Sequence, residues 1–581
     1  MSILRKPLDF VEDRTGVGAA LRSVFDEQIE GGARWGHVFG NALLILFVVE
    51  AVTGSFLALT YTPTTTDAWS SVFSIQHQIT NGWFIRGLHS YGGEAMLIVI
   101  SLHILQTVVY GSYKKPHEFN WWLSLGLAGA ILGMLVTGYR LPWDQHAYWA
   151  LAVEMNIVSA TPVVGDLLYE LVAGGTALGQ ATLTRLYALH IVIIPGAMLF
   201  LFAAMTGLRR RNGWAAPVWA DRAKLTSAFP GQVARDALFV TLVIVAVAVL
   251  TVVTEGVGVS YPAEPARGYP ARPEWFLLPL YKLRVLLPAS MEMVATMVVP
   301  GVVVTFLVAL PILDRFKSRS PFLRILWVVP VLLIGGGAGA LVFISYSDDA
   351  VDEELQSELS EATRRADRSV QLARSGIPPA GPVAMLDADP FTKGREIYRQ
   401  MCLECHVFRG EGERAAPDHT GFGSPAWIKL MLEHPQDDHF FGTTEHYSSM
   451  PSQAEDLTEE ELDAVVAFLF SMGHEPQDPE LDTALLEEGQ QITENKCRRC
   501  HMFRGDGDFM GNEGPNLTRW GSRTWILGQI MDPQNTAHYG PLAEMPAFSD
   551  QLTPHEARMV TAYLRHERFE EIDFTIEEDE E

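Results

Sequence analysis

The chain has 581 residues, of which 48% are hydrophobic, yet its formal net charge is −26. Residues 1–345 contain 24 Lys and Arg against 21 Asp and Glu, a net charge of +3, whereas residues 346–581 contain 19 against 48, a net charge of −29. This division excludes one uniform globular domain and a wholly disordered chain, and the excess negative charge argues against nucleic-acid binding.

Seven segments of the first part are apolar enough to cross a bilayer, which takes about 20 predominantly apolar residues. They span about residues 38–60, 87–110, 122–139, 187–208, 238–254, 291–313 and 325–345. If they were buried helices of a soluble protein, the remaining sequence would have too few polar residues to cover them. The prediction is a mainly α-helical fold, with a seven-helix transmembrane bundle followed by soluble domains.

Basic residues in the loops predict the orientation, since cytoplasmic loops are enriched in Lys and Arg. Such residues lie in the loops that join spans two and three, four and five, and six and seven. They include Lys114, Lys115, Arg209, Arg210, Arg211, Arg315, Lys317, Arg319 and Arg324. These loops and the N-terminal segment, residues 1–36, are expected on the cytoplasmic side of a bacterial inner membrane. The acidic second part is then expected on the periplasmic side.

Histidine spacing indicates what the bundle holds. His89 and His103 on the second span lie 14 residues apart, so both side chains project from one face, about 21 Å apart along the axis. This pattern suits two haems stacked across the membrane, each with a second ligand from another helix. His190, early in span four, lies at the depth of His89. A hydrogen-bonded histidine with a structural role is the alternative for each of them.

Four motifs resemble the cytochrome b of quinol–cytochrome c oxidoreductases, most closely its cytochrome b6 branch. They are Thr53-Gly54, Arg86-Gly-Leu-His89, Gly138-Tyr-Arg-Leu-Pro-Trp-Asp-Gln145 and Leu183-Thr-Arg-Leu-Tyr-Ala-Leu-His190. Two later motifs resemble the family's C-terminal part, a separate subunit IV in some complexes: Phe229-Pro-Gly-Gln-Val-Ala-Arg-Asp236 and Pro273-Glu-Trp-Phe276. The resemblance implies a b6-like haem-b domain over 37–230 and a subunit IV-like quinol-site domain over 231–345.

The same resemblance implies two haem b groups with assigned ligands. His89 and His190 would ligate the haem near the outer face, with Arg86 close to its propionates. His103 would hold the haem near the cytoplasmic face. In the b6 branch a cysteine tethers an extra c-type haem near the first span, but the equivalent residue here is Val38, so no such covalent attachment is expected.

The second ligand of the inner haem departs from the family pattern. The fourth histidine would lie 15 residues after His190, where this chain has Met205; at the other common spacing it has Ala204. Met205 as a ligand would raise the potential above that of a bis-histidine haem. The alternatives are a packing methionine, another ligand such as His37, or an altered inner haem.

Quinol oxidation releases protons, so its site needs a carboxylate or imidazole that passes them outward. Glu274 lies in the loop between spans five and six, and the resemblance implies that it accepts a proton; a solvated loop acid is the alternative. The implied lining residues are Tyr139, Pro142, Trp143, Pro273, Trp275 and Phe276, the last replacing the usual tyrosine. Glu50 and Glu94 lie within spans, and either relay protons or form hydrogen bonds with neighbours.

Residues 346–384 form a charged linker, for which a solvated helix is expected. An internal repeat with a 95-residue offset follows. In both copies a Met-Pro lies 44 residues after a histidine, His406 in the first copy and His501 in the second. The repeat pairs Gly394 with Gly489, Cys402 with Cys497, His406 with His501, Met450 with Met545 and Thr458 with Thr553.

All four cysteines of the chain lie in two Cys-x-x-Cys-His motifs, at 402–406 and 497–501. This pattern predicts two covalently bound c-type haems. The thioether residues would be Cys402, Cys405, Cys497 and Cys500, and the axial pairs His406 with Met450 and His501 with Met545. A zinc site would need four Cys or His ligands, more than the single motif of each copy supplies. The region resembles two tandem class I cytochrome c domains, 385–474 and 480–568, followed by an acidic tail, 569–581.

These features predict a membrane subunit of a quinol–cytochrome c oxidoreductase. One electron from quinol would cross the two b haems to a quinone near the cytoplasmic face. The other would reach the c haems through a Rieske iron–sulfur protein, a separate chain because every cysteine here is assigned. The resemblance implies a dimeric complex, with a c-type cytochrome, another carrier or a terminal oxidase downstream. The alternative is a non-catalytic electron conduit or a haem-bearing anchor for another enzyme.

Overall fold

Seven long apolar helices dominate the first part of the chain. The structure is a computed structural model, and the residues it describes are 10, 12–16, 18, 26–221, 223–444, 449–479, 481, 485–503 and 514–569. Among them the helices able to cross a bilayer are Trp35–Ala58, Gly82–Tyr110, Glu118–Arg140, Gln180–Asn212, Gly231–Val253, Ala289–Leu313 and Phe322–Asp349. They confirm the seven predicted spans and the mainly helical fold. The acidic tail beyond Phe569 lies outside the described residues.

The chain divides into two compact units, residues 1–383 and 384–581. The elements of the first unit are β1 (Gln28–Glu30), α1 (Val38–Ala58), α2 (Ala68–His77), α3 (Gly82–Tyr110), α4 (Glu118–Arg140), α5 (Gln145–Ser159), α6 (Gly165–Ala173), α7 (Gln180–Ala188), α8 (Ile194–Asn212), β2 (Leu225–Ser227), α9 (Gly231–Val253), α10 (Leu278–Leu286), α11 (Val299–Leu313), α12 (Ile325–Asp349) and α13 (Glu353–Arg374). The two strands pair antiparallel, with Gln28 opposite Ser227.

Helix α3 is central to the bundle, since α1, α4 and α9 all pack against it. It begins after Asn81 and ends at Gly111, both in the left-handed region at φ 60° and 62°. Glycine adopts this conformation without strain, and asparagine tolerates it. Buried apolar side chains from α1, α3, α4, α8 and α9 form one cluster, which includes Ala42, Leu43, Met96, Ile100, Leu127, Ile131, Phe202 and Val240. This packing fixes the rotation of α3 about its axis, and with it the direction of the α3 side chains.

The fourth span is not a regular α-helix throughout. A π-helical turn, Leu189–Ile193, joins α7 to α8 and contains His190. Pro195 follows directly and has no N–H to donate to the carbonyl of Ile191, so the regular hydrogen-bond ladder is interrupted there. The sixth span, which contains α11, has the same combination of a π-helical turn, Val294–Val298, and a following proline, Pro300.

The linker helix α13 packs onto the membrane unit instead of standing wholly in solvent. Its side chains Leu355, Ala362 and Ala373 are buried. Arg365 is bonded to Glu264 at 2.6 Å and lies 5.1 Å above the ring of Tyr261. The prediction of a solvated charge run was therefore wrong for one face of this helix, because its apolar residues recur at helical spacing.

In the second unit the two copies of the repeat exchange helices. After the short helix α14 (Pro382–Asp387), its helices are α15 (Arg395–Met401), α16 (Pro425–Glu433), α17 (Glu459–Met472), α18 (Leu486–Lys496), α19 (Arg523–Met531) and α20 (Pro554–His566). The helix preceding each Cys-x-x-Cys-His motif packs against the last helix of the other copy, α15 on α20 and α18 on α17. One buried cluster therefore contains residues of both copies, such as Tyr398, Val465, Trp520 and Tyr563.

The last helices of the two copies begin in the same way. Thr458 and Thr553 each accept a hydrogen bond from the backbone N–H three residues later, that of Glu461 or Glu556. The two glutamates bond back to the threonine N–H, which completes a capping box in both copies. The repeat read in the sequence thus corresponds to repeated local structure.

A buried ionic cluster ties the loop between α11 and α12 to the end of α3. Asp314 accepts hydrogen bonds from Tyr113 at 2.5 Å, Lys114 at 2.8 Å and Arg324 at 2.7 Å, and Arg324 is fully buried. Burial alone would raise the pKa of Asp314, but these three hydrogen-bond donors hold it below its ordinary value.

Replacing Asp314 with alanine is expected to lower the free energy of unfolding by about 3–5 kcal/mol, because it leaves buried cations without their partner. Thermal unfolding of the purified protein in detergent measures this, with the exposed neighbour Arg315→Gln as the control. Since the pKa of Asp314 is lowered, its contribution is present above the ordinary aspartate pKa and is lost as the pH falls. Equal unfolding temperatures of Asp314→Ala and the control would contradict the assignment.

Candidate functional site

The structure brings together two of the predicted ligands from different helices. The rings of His89 on α3 and His190 in the π-helical turn have their centroids 6.1 Å apart. Nδ1 of His89 lies 3.1 Å from the hydroxyl oxygen of Thr53, and Nδ1 of His190 lies 3.0 Å from that of Thr137. In both rings Nε2 is therefore available to coordinate a metal.

The hydrogen bonds of the two threonines favour one tautomer of each histidine. Thr53 donates its only hydroxyl hydrogen to the Val49 carbonyl at 2.9 Å, and Thr137 donates to the Gly133 carbonyl at 2.7 Å. Each hydroxyl oxygen can then only accept from the imidazole Nδ1–H. The lone pair of each histidine lies on Nε2, which is the arrangement that a metal-ligating histidine needs.

Two glycines leave room beside these rings. A Cβ added at Gly54 would lie 2.9 Å from Cε1 of His89, and one at Gly138 would lie 2.7 Å from Cε1 of His190. Both glycines directly follow the threonines, so a Thr-Gly pair occurs on α1 and again on α4. This recurrence is the sequence signal that could have identified Thr137 beforehand.

The pair fits a metal held between two imidazoles. Metal–nitrogen bonds of about 2 Å on either side of an ion would place the ring centroids about 6 Å apart. The Nδ1 of His89 also lies 3.1 Å from Oε2 of Glu50, which makes Glu50 a neighbour of the predicted ligand. Arg86, predicted beside the propionates, bonds to Gln76 at 2.9 Å and to the carbonyl of Gly258 at 3.3 Å.

At the other end of α3, the neighbours of His103 include two small residues, Ser124 and Gly40. Its Nε2 is 3.4 Å from Oγ of Ser124, and a Cβ added at Gly40 would lie 4.0 Å from its Cε1. Gly40 and Gly54 have the same 14-residue spacing as the two histidines. Met205 packs against the apolar cluster of the bundle, and the ring of His37 lies 5.0 Å from that of Trp214. The role of Met205 as a ligand stays a prediction.

Glu274 is held by a buried arginine. Arg140, the last residue of α4, is fully buried and donates two hydrogen bonds of 2.7 Å to the two carboxylate oxygens of Glu274. The same guanidinium donates to Glu154 on α5 at 2.8 Å. The sequence alone predicts neither pairing, although Arg140 lies inside the motif that begins at Gly138.

The predicted lining residues fall into two groups. Tyr139 and Trp275 both donate hydrogen bonds to the carboxylate of Glu94, the latter at 3.1 Å, and the ring of Phe276 lies 5.9 Å from that of Tyr139. Trp143 is instead 5% exposed in a separate apolar cluster with Leu151, Met155, Leu183 and Leu186. Glu94 is therefore hydrogen-bonded to its neighbours, one of the two readings left open for it.

A second polar cluster lies where α1, α8 and α9 meet. Asn41 donates to Asp236 at 2.7 Å and accepts from Arg209 at 2.8 Å, while Gln232 donates to the other oxygen of Asp236 at 2.7 Å. Asp236 and Gln232 are buried. Polar side chains are costly inside a membrane bundle, and where they occur they commonly mark a functional site. The motif that ends in Asp236 is evident in the sequence, but the clustering of these side chains is not.

The motif histidines of the second unit share one hydrogen-bond pattern. Nδ1 of His406 lies 2.8 Å from the carbonyl oxygen of Pro417, and Nδ1 of His501 lies 3.0 Å from that of Pro515. A carbonyl only accepts, so the proton lies on Nδ1 and Nε2 is free to ligate. Burial lowers the pKa of both histidines and keeps the rings neutral. Met450 and Met545 both pack against the shared core of this unit.

Comparison with known proteins identifies the first unit. A family model described as cytochrome b/b6/petB matches residues 26–210, which include the helices of His89 and His190. Cytochrome b6 of Crocosphaera subtropica is 34% identical over 213 residues, covering 37% of this chain and 96% of that protein. The chain belongs to the cytochrome b/b6 family. The menaquinol:cytochrome c reductase cytochrome b subunit of Bacillus subtilis is 32% identical over 224 residues, covering 37% of this chain and 100% of that subunit.

This cytochrome b/b6 chain continues into a cytochrome c-type part. A family model described as cytochrome c oxidase, cbb3-type, subunit III matches residues 389–469 and again 484–564, so both copies of the repeat are covered. A solved chain of a hyperthermophilic respiratory Complex III shares the fold with a TM-score of 0.51, at 24% identity, over 58% of this chain and 90% of that one. The two family matches together confirm the fusion predicted from the sequence.

Proposed function

We propose that this chain is the membrane subunit of a quinol–cytochrome c oxidoreductase, oxidising quinol at the outer face and passing electrons through b and c haems. The observation that carries the proposal is the position of the buried Glu274–Arg140 pair. Arg140 lies two residues after Gly138, which contacts His190. A candidate proton acceptor and a candidate haem site thus meet at the end of α4. The relationship to the menaquinol:cytochrome c reductase cytochrome b subunit of Bacillus subtilis supports the same activity.

Two haem b and two covalently bound haem c groups would supply the one-electron chemistry. In this proposal His89 and His190 hold the outer b haem, and Thr53 and Thr137 orient them by accepting the Nδ1 hydrogens. His103 holds the inner one. His406 and His501 provide the c-haem ligands with the downstream methionines, on the domains predicted over 385–474 and 480–568.

The remaining protein groups have separate tasks. Glu274 accepts a proton from the quinol hydroxyl, while Tyr139, Trp275 and Phe276 orient the ring. Near the cytoplasmic face, the cluster around Asp236 binds the quinone that takes up electrons from the inner haem.

The N-terminus faces the cytoplasm and the cytochrome c part faces the periplasm. A separate Rieske iron–sulfur protein takes the other electron of each quinol, and the complex is a dimer that serves a c-type cytochrome, another carrier or a terminal oxidase.

Spectroscopy of the purified complex tests this proposal against a non-catalytic electron conduit. Reduced-minus-oxidised spectra with a redox titration are expected to show two b-type and two c-type centres. Adding 2,3-dimethyl-1,4-naphthoquinol is expected to reduce them at a rate that supports turnover. A chain that carries its haems but neither binds nor oxidises the quinol would be a conduit or an anchor.

The inner haem offers an independent prediction. Met205→His is expected to lower the potential of the haem held by His103, because a histidine ligand favours the oxidised iron more than a methionine does. Redox titration of the b-type absorbance measures the shift. Met198→Leu, a packing residue on the same helix, is the control. An unchanged potential and spectrum in Met205→His would show that Met205 only packs.

A further inference from the structure

The buried ion-pair cluster at the end of α4 contains two residues, Arg140 and Glu154, that have no role in the proposed function as stated so far. We propose that Arg140 positions Glu274 to receive the quinol proton, and that Glu154 takes this proton over and releases it to water. This inference rests on the proposed quinol oxidation at Glu274. It adds a positioning residue and a second proton acceptor to that reaction.

The geometry connects the two carboxylates through one nitrogen. Nη2 of Arg140 contacts Oε2 of Glu274 at 2.7 Å and Oε1 of Glu154 at 2.8 Å. The two carboxylate oxygens are therefore at most 5.5 Å apart, a gap that one water molecule can bridge. Arg140 holds Glu274 through both oxygens, which fixes the orientation of the carboxylate as well as its distance.

Exposure defines a direction for the proton. The side chain of Glu274 is 6% exposed and that of Arg140 1%, whereas that of Glu154 is 21% exposed. Glu154 lies on α5, the helix that follows the last turn of α4. The path from Glu274 to Glu154 thus leads from a buried side chain to a partly exposed one.

The charges of the cluster favour holding one extra proton. Two carboxylates share a single guanidinium, so the group carries one net negative charge in a buried place. His146 is also within electrostatic range of Glu154, and Tyr139 is within that of Glu274. Burial raises the pKa of Glu154 above its ordinary value in spite of Arg140, so it is a better proton acceptor than an exposed glutamate.

The proton transfer balances without any further reactant. The O–H bond of the quinol breaks, its proton forms a new bond to a Glu274 oxygen, and the electrons leave to the acceptors named in the proposed function. Protonated Glu274 loses its charge and with it the strong pairing to Arg140, which stays paired with Glu154. The proton then passes to Glu154 through the bridging water, Glu274 is ionised again and re-forms its pair, and Glu154 releases the proton to solvent.

The test is the pH profile of quinol oxidation by the whole complex, with 2,3-dimethyl-1,4-naphthoquinol as donor. Glu154→Gln is expected to lower kcat about tenfold, since the second acceptor is lost. It should also move the acid limb about one unit to lower pH, because one negative charge beside Glu274 is removed and ionised Glu274 is favoured. Arg140→Lys keeps the charge but loses the two-point contact, so its acid limb should move about one unit to higher pH.

Two further variants complete the test. Glu154→Asp keeps a carboxylate and is expected to recover most of the lost kcat. Glu264→Gln is the matched control, because Glu264 is also a half-buried glutamate paired with two arginines, Arg267 and Arg365, and its profile should equal that of the parent protein. The b-type spectrum of each variant reports correct assembly.

Shifts of opposite sign in Glu154→Gln and Arg140→Lys support the inference, since a merely structural role would not produce them. Parent-like profiles in both variants, with activity lost in Glu274→Gln, would overturn it and leave the proposed function standing. If Arg140→Lys does not assemble, a parent-like profile of Glu154→Gln alone overturns it. Full activity in Glu274→Gln would instead refute the role of Glu274 as proton acceptor, on which this inference rests. Failure of the parent complex to oxidise the quinol would refute the proposed function.

Discussion

Glu274→Gln is expected to lower the rate of quinol oxidation by a factor of about 10²–10⁴, the contribution typical of a positioned proton acceptor. Glutamine keeps the size of the side chain and can still accept a hydrogen bond from Arg140. It cannot take the quinol proton. Arg140 retains its pair with Glu154, so the buried cation stays neutralised and the variant should assemble.

Steady-state reduction of a soluble c-type cytochrome by the quinol measures this loss. The b-type and c-type spectra of the variant should match those of the parent protein, because none of the predicted haem ligands is changed. A rate within twofold of the parent would mean that quinol protons leave by another group. Loss of the b-type spectrum together with the rate would mean that the substitution acts through assembly.

Gly489→Ala is expected to destabilise the second unit by about 3 kcal/mol or more. A Cβ at this position would lie 1.8 Å from the carbonyl oxygen of Ala464, a backbone atom of α17 that cannot swing aside. Alanine favours a helix over glycine by about 0.5–1 kcal/mol, so the clash has to exceed this gain. The equivalent Gly394 lies against α20, where a Cβ would be 2.3 Å from the carbonyl oxygen of Met559.

Denaturant unfolding monitored by the c-haem absorbance gives the free energy, and Glu488→Ala, an exposed neighbour on α18, serves as the control. Because Gly489 of the second copy contacts the last helix of the first copy, both c-type centres are expected to be lost together. An unchanged midpoint in Gly489→Ala would contradict the exchange of helices between the copies.

Much of this protein could be predicted because its signals are local. Spans such as 87–110 are visible from composition alone, and the structure has a long helix, Gly82–Tyr110, at that place. The repeat with its Cys-x-x-Cys-His motifs was equally plain, because covalent attachment and axial ligation need fixed residue types at fixed spacing. The haem ligands remain predictions, and the partners of their Nδ1 atoms support them.

Other features depend on contacts between segments far apart in the chain. Arg140 and Glu274 are separated by 134 residues, and nothing in the neighbourhood of either predicts their pairing. The amphipathic linker helix was expected in solvent because its charges are conspicuous, whereas its buried stripe of Leu355, Ala362 and Ala373 only has meaning once a surface faces it. The repeat likewise predicts two similar copies but not which helix of one covers the other.

Composition and short-range spacing were enough to predict the seven spans, the acidic second part and its repeat, and they nominate candidate haem ligands. The pairing of one buried guanidinium with both Glu274 and Glu154 became visible only in the folded chain, as did the core that the two cytochrome c copies share through exchanged helices. Burial and ion pairing depend on which segments meet in space. A chain of 581 residues offers many more such pairings than its local pattern can select.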